Sequence, residues 1–112
     1  MILLTAETPI FLGTQPADFR KGIDGFVALC REHLHHNPRS GARFVFINRA
    51  KTQVRVLSYD GTGFWLMTKR LSRGRFSAWP QAHEAIHTLS ASQLSYLLSG
   101  GDYRELDCAQ AA

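Results

Sequence analysis

Three runs of β-branched and aromatic residues, closely spaced and separated by turn chemistry, set the tightest limit on how this chain folds. They are Phe44-Val45-Phe46-Ile47, Val54 to Tyr59, and Phe64 to Met67. Asn48-Arg49-Ala50-Lys51 joins the first two, and Asp60-Gly61-Thr62-Gly63 joins the last two. Such runs around short Asn-, Asp- and Gly-bearing turns predict a meander of three antiparallel strands. Phe44 to Ile47 is apolar on both faces, which suits a central strand. On the second strand Val54 and Val56 share one side, while Arg55, Leu57 and Tyr59 share the other. The third sets Trp65, Met67 and Lys69 against Phe64, Leu66 and Thr68. Arg55 and Tyr59 are expected on the face turned away from the N-terminal helix.

That helix is predicted from apolar residues at helical spacing: Phe19, Ile23, Phe26, Val27, Cys30 and Leu34. Ile10-Phe11-Leu12 reads as a short first strand, with Thr14 or Asp18 as the helix cap and Pro16 in the first turn. The pattern implies about five turns, ending before Asn37-Pro38. Gly22 and Gly25 lie within it, where each costs about 1 kcal/mol relative to Ala. Close packing on the sheet would explain them. Bare backbone beside Arg20 and Lys21, open to a ligand or partner, is the alternative. Phe76 to Trp79 is expected to form a further short strand stopped by Pro80, and Ala85 to Leu89 an edge strand. Ser90 and Gln93 form a capping box for a second, shorter helix, with Leu89 stapling onto Leu94. Leu94, Leu97 and Leu98 are its buried stripe, and Gly100 or Gly101 its stop.

The expectation is therefore α+β: an antiparallel sheet, made of the meander and one or two short strands, packed on one long N-terminal helix, with a short C-terminal helix. The 112 residues suffice for a single domain with its own core, about 9–100, and a frayed tail over 102–112. Met1 to Glu7 lacks the basic start and long apolar run of a secretory signal, and no stretch approaches a membrane span. The two cysteines, Cys30 and Cys108, make no disulfide framework. Together these point to the cytoplasm, with no membrane partner.

Charge is distributed unevenly. Residues 43–75 hold eight basic side chains against Asp60 alone, a net +7, while the rest of the chain carries −3. A field so concentrated suits an anionic partner, nucleic acid foremost. The candidate contacts are Arg49, Lys51, Arg55, Lys69, Arg70, Arg73 and Arg75, and the excess of Arg over Lys favours bidentate phosphate or guanine contacts. A solvated basic edge that resists aggregation is the blander account. Tyr59, Trp65 and Trp79 interleave with the cations as base-stacking residues would, although core packing is the commoner fate of aromatics.

Other chemistries have thinner support. Ile10 to Gly13 and Arg43 to Phe46 loosely echo the aromatic motifs of the RNA-recognition fold, but that fold needs a strand between its first helix and the second motif. Cys30, His33 and His36 lie three apart and His83 and His87 four apart, without the paired Cys or carboxylate set of a structural metal site. Asp60 and the Asp18/Asp24 pair are the only acids worth testing for hydrolysis, and Asp60 reads as a turn residue. No phosphate-cradling loop or nucleophile elbow is present. Neither enzymatic activity nor a cofactor is expected.

The order of motifs resembles a known family. Asp18-Phe19-Arg20-Lys21-Gly22-Ile23-Asp24-Gly25 is similar to the D-x-R-K-G-x-D-G block of the TnpB accessory proteins of insertion sequences of the family numbered sixty-six. Phe44 to Arg49, Tyr59 to Leu66, Lys69-Arg70-Leu71, Arg73 to Phe76, and Leu89 to Gly100 resemble its later blocks, so the likeness runs from Ile10 to Gly100. The resemblance implies a non-catalytic accessory of a bacterial transposable element, whose strand-transfer chemistry belongs to a separate transposase. It is distinct from the RNA-guided nucleases that share the name.

Two functions follow as expectations. In the first, the basic turns hold DNA, at the element's ends, in a complex with the transposase and other protein of the element. In the second, the block containing Arg20, Lys21, Gly22, Asp24 and Gly25 and the exposed part of the meander dock onto the transposase without DNA contact. A nuclease centred on Asp60 is the third class.

Overall fold

The computed structural model describes residues 8–81 and 83–104. The strands are β1 (Ile10–Gly13), β2 (Arg43–Ile47), β3 (Gln53–Tyr59), β4 (Phe64–Arg70) and β5 (Ile86–Thr88), and the helices α1 (Ile23–Glu32) and α2 (Ala91–Leu98). They build one sheet in the order β4-β3-β2-β1-β5, an α+β architecture in which the meander forms as its sequence requires and β2 is central.

The sheet is mixed rather than antiparallel. β1 runs parallel to β2, with Ile10 opposite Arg43 and Leu12 opposite Val45. The reason is topological: α1 lies between these strands in sequence, and a helical crossover returns the chain to the end from which it set out. β5 then pairs antiparallel with the outer side of β1, and so supplies the expected edge strand.

Both faces of the sheet are covered. On one, Phe26, Cys30 and Leu34 pack against Phe44, Phe46 and Leu57. On the other, Val45, Ile47, Val54 and Val56 meet Leu94 and Leu97 of α2 together with Phe76, Trp79 and Tyr103. Alternation along β2 divides its apolar side chains between these two layers, which explains a run without polar positions.

The N-terminal helix is shorter than its apolar spacing implies, ten residues rather than five turns. Neither Thr14 nor Asp18 caps it. Residues 14–22 instead form an irregular connection with a turn at Phe19-Arg20, tied to the sheet where the Ala17 N–H donates to the Ile47 carbonyl (2.8 Å). The Asp18 carboxylate is taken by the Arg20 backbone N–H and guanidinium, and Gly22 is the extended residue before the first turn. Phe19 and Leu34 still pack in the α1 layer, but from outside the helix. Residues 76–79 are likewise not a strand: Phe76 and Trp79 both turn inward as anchors, and the Trp79 indole N–H donates to the Gly13 carbonyl (3.0 Å).

Ser90 and Gln93 close the capping box of α2 as expected. Tyr103 is buried, so the segment after Asp102 begins inside the core rather than frayed. Cys108 and the rest of the expected tail, like Met1 to Glu7, lie outside the described residues.

Candidate nucleic-acid interface

The β2–β3 turn, the last residues of β4 and the loop that follows meet at one end of the sheet. Gln53 stands opposite Arg70 and Val54 opposite Lys69 in the β3–β4 pairing. Past that register the Leu71 N–H donates to the Thr52 carbonyl (3.0 Å), and the Phe76 N–H to the Lys51 carbonyl (2.8 Å). The loop 71–75 is therefore strapped at both ends to the β2–β3 turn. Arg49, Lys51, Lys69, Arg70, Arg73 and Arg75 all belong to these three segments.

The local conformations have identifiable causes. Asn48 holds the first turn through its side-chain oxygen, which accepts from the N–H groups of Thr52 and Gln53 (2.9 and 3.1 Å). Lys51 takes a left-handed conformation there, and Gly74 does the same at the tip of the next loop. Lys51 is half-buried, whereas the other five cations are exposed. Among the described residues, none of the six forms an ion pair; the carboxylates that do are Asp18, with Arg20, and Asp102, with Arg104.

Asp60, the one acid of the stretch, sits at the opposite end of β3 and β4. Its oxygens accept from the N–H groups of Thr62 and Gly63 and from the Trp65 indole (2.9, 3.0 and 2.8 Å). Those donors, the Thr62 backbone first, hold its carboxyl well below the usual carboxylate range. It is a turn residue, and its lone pairs are committed to the hairpin.

Arg55 stands apart from the other cations, and its placement corrects the sequence expectation. It faces α1: Nη1 donates to the carbonyls of Phe19 (2.7 Å) and Lys21 (3.1 Å), and Nε to the Thr68 hydroxyl (2.9 Å). Its guanidinium also lies over the Phe19 and Phe26 rings, 4.8 and 5.5 Å from their centroids. These donors are spent inside the protein, so Arg55 braces the 18–22 segment. The signal was available in the sequence, because Arg55 shares strand parity with Leu57, which packs beneath α1. Arg43, outside the candidate set, donates to the Gly41 carbonyl and the Ser58 hydroxyl (3.1 and 2.8 Å).

The brace brings a second basic segment close to the first. A cleft of about 340 Å³ separates residues 16–20 from residues 48–50, with Asp18 and Arg20 on one wall and Arg49 on the other. Hydrogen bonding to Arg20 draws the Asp18 carboxyl down to about 2, so it remains an anion beside these cations. Lys21, Gly22 and Asp24 are exposed along the entry to α1. Neither glycine packs on the sheet: a Cβ at Gly22 would meet nothing, and one at Gly25 would meet the Lys21 side chain at 2.7 Å.

The stacking aromatics do not join the cations. Trp79 is buried, while Tyr59 and Trp65 lie at the Asp60 end of the hairpin. The histidines are dispersed, with His36 stacked on Phe11 (4.4 Å) and His87 against Tyr103 (5.5 Å). Among the described residues, no three or more His, Cys, Asp or Glu side chains are grouped to hold a metal ion. No described helix is long and apolar enough to cross a membrane.

The sequence profile of the IS66 Orf2-like proteins matches residues 8–107, almost the whole chain. The chain belongs to the IS66 Orf2-like family. It is thus a transposon-associated accessory protein, and the blocks that carried the resemblance in sequence fall on the entry to α1, β2, the two hairpin turns, the basic loop and α2. Two similar proteins come from Sinorhizobium fredii (strain NBRC 101917 / NGR234). Uncharacterized protein y4hO is 42% identical over 95 residues, covering 85% of this chain and 82% of that one. Uncharacterized protein y4jC is 38% identical over 94 residues, covering 84% and 80%. No solved structure matches the chain.

Proposed function

We propose that this IS66 Orf2-like protein is a non-catalytic, cytoplasmic DNA-binding accessory that assists the element's transposase by gripping DNA backbone at the end of its sheet. The observation that carries the reading is the meeting, at one end of the sheet, of three segments that hold Arg49, Lys51, Lys69, Arg70, Arg73 and Arg75, none of them ion-paired among the described residues. Arginine guanidinium groups without carboxylate partners are free to bind phosphate oxygens bidentately.

Neutralising four to six phosphates gives a log-log salt dependence of affinity with slope of about −4 to −5. A mobility-shift titration against a duplex carrying an end of such an element measures it. Arg73→Ala with Arg75→Ala is expected to reduce the slope by about 2, at about one contact per cation. A slope near zero overturns the reading.

A second reading rests on Arg55, which holds the Asp18–Gly25 block in one exposed conformation. In it, that block docks onto the transposase without DNA contact. A pull-down of the transposase that survives nuclease, without any shift of free DNA, favours this adaptor over the DNA-binding accessory.

A further inference from the structure

The outer edge of β4 holds two cations of the DNA-binding reading, Lys69 and Arg70, together with a tryptophan that reading leaves unused. The two edges of the sheet differ in kind. β5 offers three residues, whereas β4 offers seven, Phe64–Arg70, without proline. Short edge strands are a common protection against strand addition, and long bare ones invite it. Trp65 stands on this edge with 59% of its surface exposed, and the Asp60 carboxylate fixes its indole.

The hydrogen-bonding parity of the edge is determined. At one end of the β3–β4 ladder the Asp60 N–H donates to the Gly63 carbonyl, and at the other the Leu71 N–H donates to the Thr52 carbonyl. Backbone bonds in an antiparallel pair alternate, so Trp65, Met67 and Lys69 turn their backbone groups in toward β3. Phe64, Leu66, Thr68 and Arg70 turn theirs outward, away from every other strand of the sheet.

We propose that a second copy of this chain pairs antiparallel along this edge, with Met67 on the two-fold axis. This register sets Phe64 opposite Arg70 and Leu66 opposite Thr68 of the second copy, so that all four outward-facing residues of each strand bond. It also sets Trp65 opposite Lys69, in the non-hydrogen-bonded type of pair, where side chains approach most closely. The composition of the strand selects this occupant. Its two cations occupy one end and its two aromatics the other, so two-fold pairing lays each cation against a ring rather than against a like charge. A two-fold interface needs this kind of self-complementarity. Lys69 and Arg70 belong to both surfaces, whereas Arg49, Lys51, Arg73 and Arg75 lie off the strand, and the pairing stands whether or not those four hold DNA.

The test is molar mass by sedimentation equilibrium over a concentration series. The wild type is expected to move from 12.6 kDa toward twice that mass. Trp65→Lys, which sets its ammonium against that of Lys69 at each of the two symmetry-related contacts, is expected to remain at the monomer mass with an unchanged circular dichroism spectrum. Adding Lys69→Glu to it restores opposite charges at the same contact, and the dimer with them. Hydrogen exchange on the unaltered protein gives a reading that no misfolded variant can confound: the amides of Leu66 and Thr68 gain protection as concentration rises. A wild type monomeric throughout, a Trp65→Lys variant that still dimerises, or Leu66 and Thr68 amides equally unprotected at every concentration would each overturn the pairing.

Discussion

Arg55 and Asp60 occupy the same hairpin, and each owes its role to what its side chain is denied. Arg55 is half-buried and spends Nε and Nη1 on two loop carbonyls and a hydroxyl. Arg55→Met keeps much of the stem but strands the Phe19 and Lys21 carbonyls, which is expected to cost about 2–3 kcal/mol in urea denaturation. Arg55→Lys is expected to rescue little, because one ammonium cannot replace a planar fork that serves both sides of the loop. Asp60 is governed by titration. Its folded carboxyl titrates below the unfolded value, so the contribution of its hydrogen bonds is complete above the ordinary carboxylate value of 3.8. That contribution is lost as pH falls from there through the lower folded value. The Trp65 indole reports the loss directly, since its N–H donates to the same carboxylate. Trp65 fluorescence is expected to hold steady down to that value and shift only below it, and Asp60→Ala to show the shifted spectrum at neutral pH.

The two helices show why one element was legible in the sequence and the other only in part. α2 has its start written locally: the Ser90 hydroxyl accepts from the Gln93 N–H (3.1 Å), and the Gln93 side chain accepts from the Ser90 N–H (2.9 Å). Ser90→Ala removes half of that reciprocal pair and is expected to lower stability by about 1 kcal/mol, read as a shift in urea midpoint at constant m-value. α1 has no side-chain cap, and its beginning is decided by distant partners. Phe19 fits the apolar period, yet it lies in a turn before the helix that Ile47 and Arg55, residues far away in sequence, hold in place. Periodicity records which side chains are buried and not whether the backbone between them coils. The same limit applies to Phe76 and Trp79, whose spacing suits a strand but whose rings serve as two anchors of a loop. The parallel pairing of β1 with β2 was missed for a different reason: short apolar strands read singly carry no mark of direction, and only the strand–helix–strand order implies it.

At the scale of the molecule, the sequence gives the sign and amount of charge, and the fold decides its geometry. Three segments that hold six cations meet at one end of the sheet: the β3–β4 pairing brings the end of β4 there, and two backbone hydrogen bonds strap the 71–75 loop to the β2–β3 turn, a contact no local pattern announces. Burial of both sheet faces has a further consequence, since β2 and β3 are shared by two apolar layers that do not otherwise need each other. Cys30 reports on the α1 layer: it is fully buried, and burial pushes its thiol up to about 12, so alkylation requires opening. Leu94 lies on the opposite face, also fully buried, and Leu94→Ala is expected to cost about 2–5 kcal/mol. If the shared strands make the two layers one cooperative unit, the α1 layer opens only when the whole domain does. The same substitution then raises the rate of Cys30 alkylation by about 30-fold to several thousandfold, at a tenfold change per 1.4 kcal/mol. The measurement is made in a Cys108→Ser background, so that one thiol is counted. Unchanged labelling of Cys30 alongside a lowered urea midpoint would mean that the α1 layer opens independently, with the sheet a divider between two cores rather than the link that joins them.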